Sequence, residues 1–420
     1  MLHKPLRTGL AALAGLTLAL AVAGCARPPQ PTPVPPTPTA AVRPPTADTP
    51  LPATSEARQL YLPLVDEEAA AAATSAPPVE PTPEPSPTPA STPTPRPMAL
   101  ADWPALSLAD WPRPAADNGL CIHNIPDAYF DEATVDLQIS RLKAMRMTWT
   151  VVLYGDELHL AKAAPRYRDA GITVVWRKWL WADEPYYGWG RDVALLQELG
   201  MPPYMQIYNE PDLPAEWRGA APDQALFLEH FISAVEQVYN AGGYVGLQFV
   251  SGEWLAAALR EIQRRGGERV FGRLFLVPHP YGLNHPPDYT EDVNGVLGWR
   301  HQAEVARSII GFTPPMIAGE GGWKWNAGDD NRFPRIDATL HRDYHLAVFN
   351  WFRTGVLSDG QPLPDYLFAF CPWLLSAKLD DSAWFDSFAG DHVETIEAVK
   401  ALPPFRRTFS GGGLAPAGGS

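Results

Sequence analysis

Residues 204–250 read YMQIYNEPDLPAEWRGAAPDQALFLEHFISAVEQVYNAGGYVGLQFV, and their pattern decides the fold. A short apolar run, Tyr204–Asn209, precedes an amphipathic stretch, Gln224–Asn240, whose Leu226, Phe227, Phe231, Val235 and Val238 share one helical face. A second apolar run, Val245–Val250, follows. Runs that are apolar on both faces fit strands of a parallel sheet buried under helices. Six more such runs lie at Leu120–Asn124, Thr150–Tyr154, Thr173–Trp176, Leu274–Pro278, Met316–Glu320 and Tyr366–Trp373. Clear helical patterns also occupy Val135–Met145, Val296–Ile309 and His341–Arg353. Eight strand-then-helix units in roughly 290 residues predict an α/β fold of the (β/α)8 TIM-barrel type. The competing arrangement, an open doubly wound sheet, would set a Gly-rich phosphate loop after the first strand. Asn124-Ile125-Pro126-Asp127 stands there instead.

Outside the barrel the composition changes. The chain has 420 residues and 47 Pro, of which 22 fall within residues 28–97. That stretch is Pro-Thr-Ala-Ser low complexity, which favours extended polyproline II and cannot build a packed core. Before it, Lys4 and Arg7 precede an apolar run from Leu10 to Ala23 that is too short to span a bilayer comfortably. The run ends in Val22-Ala23-Gly24-Cys25, which resembles a bacterial lipobox. The expected organisation is a lipoprotein signal over 1–25, with lipid on Cys25, a linker over 26–98, a catalytic barrel over 99–410 and a Gly-rich tail over 411–420. The protein is expected to be exported and held to a membrane by the lipid on Cys25, as a monomer. The tetrapeptide Ala-Asp-Trp-Pro occurs at Ala101–Pro104 and Ala109–Pro112, and its Trp residues are expected to cap the domain. A net charge of −14 argues against a nucleic-acid partner held through phosphates.

In a barrel of this kind chemistry gathers at the C-terminal ends of the strands. Those ends carry His123 and Asn124 (first strand), Arg177 (third), Asn209 and Glu210 (fourth), His279 and Tyr281 (sixth), Glu320 (seventh) and Trp373 (eighth). Carboxylates on the fourth and seventh strands face each other across the mouth. Retaining glycoside hydrolysis needs such a pair, one to protonate the leaving oxygen and one to attack the anomeric carbon, about 5–5.5 Å apart.

Gln206-Ile207-Tyr208-Asn209-Glu210-Pro211-Asp212 resembles the fourth-strand signature of clan A glycoside hydrolases. Met316-Ile317-Ala318-Gly319-Glu320-Gly321-Gly322-Trp323 is similar to their seventh-strand nucleophile segment. The resemblance covers Asp117 to Phe409. It implies a surface-anchored, retaining O-glycosyl hydrolase with Glu210 as general acid/base and Glu320 as nucleophile. It further implies that Asn209 binds the sugar 2-OH, Tyr281 orients the nucleophile and Trp373 forms the floor under the sugar. His123 and His279 are assigned only as pocket polar groups, and Glu253 is the candidate that would replace Glu320. Many clan members carry an Arg near the end of the second strand, whereas here that strand ends Leu153-Tyr154-Gly155-Asp156-Glu157. Arg177 is the candidate to take its place.

Aromatic residues suggest what is held. Trp179, Trp181, Tyr186, Tyr187 and Trp189 crowd the segment after the third strand, with Trp217, Trp254, Trp323 and Trp325 after the fourth, fifth and seventh. Indole planes suit the C–H faces of sugar rings. A poly- or oligosaccharide, in particular a β-glycan, is the expected substrate. The alternative is a catalytically inactive, carbohydrate-binding lipoprotein on the same scaffold. No cofactor is expected, and no metal: His341 and His345 share a helix face but lack the Glu of a zincin motif. Cys121 and Cys371 fall on the first and eighth strands, which adjoin when a barrel closes. A disulfide between them is open to an exported protein, but adjacent parallel strands seldom offer bridging geometry, and buried free thiols are favoured over it.

Overall fold

The eight apolar runs become eight parallel strands, paired in chain order, in a computed structural model that describes residues 107–125 and 131–409. Cys25, the signal and linker segments, the first Trp-Pro copy and the Gly-rich tail lie outside the described residues. The strands are β1 (His123–Asn124), β2 (Trp149–Tyr154), β3 (Thr173–Lys178), β4 (Tyr204–Ile207), β5 (Tyr244–Leu247), β6 (Leu274–Leu276), β7 (Met316–Ala318) and β8 (Leu367–Phe370). Between and after them run α1 (Glu132–Ala144), α2 (Glu157–Asp169), α3 (Trp189–Glu198), α4 (Gln224–Asn240), α5 (Gly252–Arg264), α6 (Trp299–Ile310), α7 (Ala338–Thr354) and α8 (Val393–Ala401).

Five helices begin where an Asp or Ser side chain accepts a hydrogen bond from a first-turn amide: Asp131, Asp156, Asp223, Ser251 and Asp337. Each satisfies a backbone donor that the helix itself cannot pair. Among the described residues no helix is long and apolar enough to cross a membrane.

The sheet closes into a (β/α)8 barrel. Leu120 bridges Phe370 in parallel, the His123 amide donates to the Pro372 carbonyl at 2.9 Å, and the Leu375 amide donates to the His123 carbonyl at 2.8 Å. Cys121 and Cys371 meet at this seam, with Cα atoms 4.3 Å apart, and form a disulfide. This corrects the expectation of free thiols: at the closing seam the two strands come close enough to be bridged.

Strand alternation sorts side chains into two cores. Outward residues such as Val152, Trp176, Met205 and Leu276 pack under the helices. Inward ones, including Trp149, Val151, Val175, Tyr204, Phe275, Val277 and Phe368, fill the barrel. Trp111 closes the N-terminal end, with ring centroids 4.9 Å from Tyr244 and 6.1 Å from Tyr204, whose hydroxyl donates to the Pro112 carbonyl at 2.6 Å. The second Trp-Pro copy therefore caps the barrel floor. Higher along the same inward faces the residues turn polar: His123, Arg177, Gln206, Gln248 and His279.

Candidate active site

The site begins with the chain's exit from β4. The sequence run promised strand to Asn209, but pairing stops at Ile207 because Tyr208 and Glu210 adopt left-handed backbone, with φ of 57° and 35°. Such conformations cost non-glycine residues of order 1–3 kcal/mol and must be held by their surroundings. Here the Glu210 amide donates to Gln248 just past β5, and the Leu213 amide donates to the Glu210 carbonyl at 2.8 Å. Trp217 Nε1 donates to the Pro211 carbonyl at 2.7 Å, and the Tyr208 hydroxyl to the Glu184 carbonyl at 2.8 Å. Together these bonds aim the Glu210 side chain over the barrel mouth.

Glu320 arrives from β7 on a glycine-rich turn whose composition is sterically required. A Cβ on Gly319 would lie 2.4 Å from Val277, and one on Gly322, which has φ of +76°, would lie 2.5 Å from His345 Nε2. The Gly282 amide donates to the Gly322 carbonyl at 2.8 Å, and the Trp373 amide to the Gly321 carbonyl at 2.9 Å. The segments leaving β6, β7 and β8 are thereby tied around the nucleophile candidate.

Glu210 and Glu320 meet. One carboxylate oxygen of each, with a ring nitrogen of His279, all lie within 4.8 Å of one another. His279 Nδ1 is 2.8 Å from Glu210 Oε1 and 3.6 Å from Glu320 Oε2. Arg177 donates to Glu320 Oε1, and the Tyr281 hydroxyl donates to Glu320 Oε2 at 2.9 Å. His123 Nδ1 is 2.9 Å from the Gly319 carbonyl, and its ring centroid is 4.9 Å from that of Trp373. Trp373 is fixed in turn by an Nε1 bond of 2.6 Å to Asp380.

The electrostatics separate the groups. Burial alone would raise the Glu320 carboxyl, but His279, Arg177, His123 and the Tyr281 hydrogen bond outweigh it and hold it well below the ordinary range. Glu320 is therefore an anion at neutral pH. Burial drives His123 down to about 4, so it is neutral. Burial and then the Glu320 charge push the Tyr281 phenol well above its usual value, keeping it a donor. Among the described residues, Glu210, His279 and Glu320 are the group close enough to hold a metal ion, yet both Glu320 oxygens already accept hydrogen bonds, from a guanidinium and a phenol.

No family model matches the sequence, and no curated protein matches it. Several solved structures are similar to it at low identity. The catalytic domain of a mannanase from Streptomyces sp. SirexAA-E is 11% identical over 63% of this chain and 77% of its own, with a TM-score of 0.37. AbfB, a family 51 α-L-arabinofuranosidase from Bifidobacterium longum, is 10% identical over 70% and 76%, with a TM-score of 0.40. D-psicose 3-epimerase from Clostridium cellulolyticum H10 is 10% identical over 67% and 96%, with a TM-score of 0.36. A barrel hosts many chemistries, and glycosidases and epimerases stand side by side among these neighbours.

The aromatic residues divide. Trp179 is 46% exposed and Tyr187 74% exposed after β3, with Trp181 half-buried beneath the Arg218 guanidinium. Trp217 and Trp323 are buried, the latter donating to the His285 carbonyl at 2.7 Å, so both serve packing rather than sugar contact. Trp254 sits on α5 with its ring 5.8 Å from Phe227 of α4, a helix–helix contact. Trp189 is likewise buried, and Tyr186 hydrogen-bonds Asp192. Glu253 is exposed in the first turn of α5 and does not replace Glu320. Trp sequence positions in loops do not reveal which side of the loop faces the core, and this is why those expectations fail.

Sequence reasoning also missed residues. Gln248 supports the Glu210 backbone, Asp380 fixes Trp373, and Glu216 accepts a hydrogen bond from Asn209 Nδ2 at 2.7 Å. Gln206 donates to Asn209 Oδ1 at 3.2 Å from the other side. Gln206 and Gln248 carry a signal, since a polar side chain on the inward face of an apolar strand needs a partner. Glu216 carries none, because it lies in a short 3₁₀ turn, Pro214–Trp217, with no periodicity to mark it.

Proposed function

We propose that this protein is a retaining glycoside hydrolase acting on a poly- or oligosaccharide, in particular a β-glycan. One observation carries the reading: one carboxylate oxygen of Glu210 and one of Glu320 come within 4.8 Å of each other across the barrel mouth, as carboxyl groups about 5–5.5 Å apart in double displacement would allow. A water-mediated inverting reaction would need a wider gap of about 6.5–9.5 Å.

In the first step an anionic Glu320 oxygen attacks the anomeric carbon. The glycosidic C–O bond breaks as Glu210 passes its proton to the leaving oxygen. In the second step Glu210 takes a proton from water, whose oxygen displaces Glu320 and restores both side chains. Arg177 and Tyr281 hold Glu320 ionised and oriented, so that little reorganisation is needed as its charge moves onto carbon. His279, hydrogen-bonded to Glu210 and close to Glu320, fixes their spacing. Trp373 underlies the sugar ring, and Asn209 donates to its 2-OH. The exposed faces of Trp179 and Tyr187 supply a further sugar platform, which favours a chain over a small glycoside.

We further infer that residues before the barrel tether it through lipid on Cys25. A Cys25→Ala protein that still partitions with membranes would count against that. For the reaction, the test is mass spectrometry after exposure to activated 2-deoxy-2-fluoro glycosides. The expected result is a stable adduct on the peptide containing Glu320, absent from Glu320→Gln. Oligosaccharide binding with neither turnover nor adduct would instead support a non-catalytic barrel.

A further inference from the structure

The site contains a third carboxylate that the double displacement does not use. Glu216 follows β4 in the turn Pro214–Trp217, and four contacts pin that turn. The Ala182 amide donates to the Glu216 carbonyl at 3.0 Å, Trp217 is buried and bonded to the Pro211 carbonyl, and Arg218 clasps Asp183 and Glu184. The side chain of Glu216 is therefore delivered from a rigid base. It turns back toward β4 and accepts from Asn209 Nδ2 at 2.7 Å, while Gln206 Nε2 donates to Asn209 Oδ1 at 3.2 Å.

This pair of contacts fixes the amide. Asn209 is buried, and its two ends, one a donor and one an acceptor, would otherwise be free to exchange by a half-turn of the side chain. Gln206 alone offers its Nε2 to whichever acceptor is presented. Glu216, an acceptor when ionised, accepts only the Nδ2 end. One Nδ2 proton is consumed by Glu216, and the second is left to point toward the sugar.

We propose that Glu216 is a positioning residue: through its hydrogen bond it locks the Asn209 amide in the orientation that donates to the sugar 2-OH. The proposal rests on the glycosidase reading and deepens it. Burial, outweighing Arg177 and the Asn209 bond, and then the Glu210 and Glu320 charges raise the Glu216 carboxyl to about 7. The lock is therefore fully set only above neutral pH, since the protonated acid loses acceptor capacity. Arg177 from β3, Glu210 beyond β4 and Glu320 beyond β7 are the charged groups that face it.

The test compares a glycoside with its 2-deoxy counterpart in five proteins: unmutated, Glu216→Gln, Glu216→Ala, and Asn209→Ala with and without Glu216→Ala. For the 2-hydroxy substrate Glu216→Ala is expected to lower kcat/KM by about 10- to 100-fold, the cost of one misdirected hydrogen bond in the transition state. For the 2-deoxy substrate the loss should be under about 3-fold, because the bond it supports no longer exists. Glu216→Gln, whose amide donates as well as accepts and so no longer selects one end of Asn209, should lose activity on the 2-hydroxy substrate above neutral pH and lose an ionisation near pH 7 from the profile. In the Asn209→Ala background Glu216→Ala should add nothing. Equal losses on both substrates, or a Glu216→Gln whose pH profile keeps that ionisation, overturn the proposal. Should Glu216→Ala not fold, the pH profile of Glu216→Gln decides alone, and an unchanged profile overturns it. An unmutated protein that cleaves no glycoside overturns the glycosidase reading itself, and this proposal with it.

Discussion

Arg177 on β3 donates to the same Glu320 carboxylate that Tyr281 holds from the end of β6, so the seventh-strand anion is gripped both from across the barrel mouth and from the adjacent strand. The ion pair spans the barrel mouth and is largely buried, with side-chain exposures of 11% and 6%. In water such a pair would add little. Here, together with His279, it holds the Glu320 carboxyl ionised.

Removing the guanidinium should therefore move a pH profile. With Arg177→Ala, burial of Glu320 is opposed by fewer positive neighbours, and its carboxyl rises. Glu320 must be ionised to attack, so the acid limb of kcat/KM against pH should shift upward by about 1–2 units. Arg177→Lys should shift it less, because the charge survives although the forked geometry does not. An acid limb that stays in place in Arg177→Ala would show that Arg177 does not tune Glu320.

Exposure separates two kinds of Trp that the sequence shows alike. Trp179→Ala and Tyr187→Ala should raise KM for long oligosaccharides by roughly 3- to 10-fold, matching about 0.5–1.5 kcal/mol of aromatic contact, with little change in melting temperature. Trp217→Ala and Trp323→Ala remove buried rings and should lower stability by about 3–5 kcal/mol. Thermal melts beside a chain-length series of substrates read both. Unchanged KM in the first pair would remove the sugar platform after β3.

The barrel was legible because its information is local. Each strand is an apolar run, and alternation within it decides what faces inward. Once the order of strands was set, His123, Arg177, Glu210, His279 and Glu320 converged without further assumption, because every parallel strand delivers its last inward residue to the same end. Glu216, Asp380 and the exposure of each loop Trp were not legible. Those positions depend on how a connecting segment folds back over the barrel, and no period in the sequence encodes it. The disulfide was misjudged for a related reason: a rule about average strand neighbours says nothing of the one seam where the barrel closes.

Buried imidazoles make acid a destabilising condition. Burial lowers His123 and His345 to about 4 and His341 further, below the value of about 6.5 each has when unfolded. Between those values the unfolded chain binds protons that the native one does not, so stability is full above about pH 6.5 and falls as pH drops toward 4. Glu216, raised by burial, acts in the opposite sense over about pH 4.5–7, so whole-protein melts mix the two. A variant isolates the imidazole contribution. His345 Nδ1 lies 2.6 Å from the His341 carbonyl, and its Nε2 accepts from the Trp323 amide at 3.4 Å. His345→Gln should melt below the unmutated protein at pH 7, and the gap should narrow steadily toward pH 4. A gap independent of pH would mean that His345 is not carried neutral in the native state.

The disulfide at the β1–β8 seam offers a separate measurement. Cys121 and Cys371 are fully buried and 250 residues apart in sequence. Closing so long a loop in the unfolded chain is worth about 5 kcal/mol in the chain-entropy account. Cys121→Ser with Cys371→Ser should lower the melting temperature by about 10 °C for a domain of this size. Because neither sulfur reaches solvent, reductant alone should leave both unreactive toward an alkylating reagent in the native protein. Denaturant and reductant together should expose both, and mass spectrometry of the peptides reads the outcome. His123 and Trp373 each lie two residues beyond a bridged cysteine, and their ring centroids are 4.9 Å apart. Ready alkylation of Cys121 in unreduced, denatured protein would show that the bridge does not form.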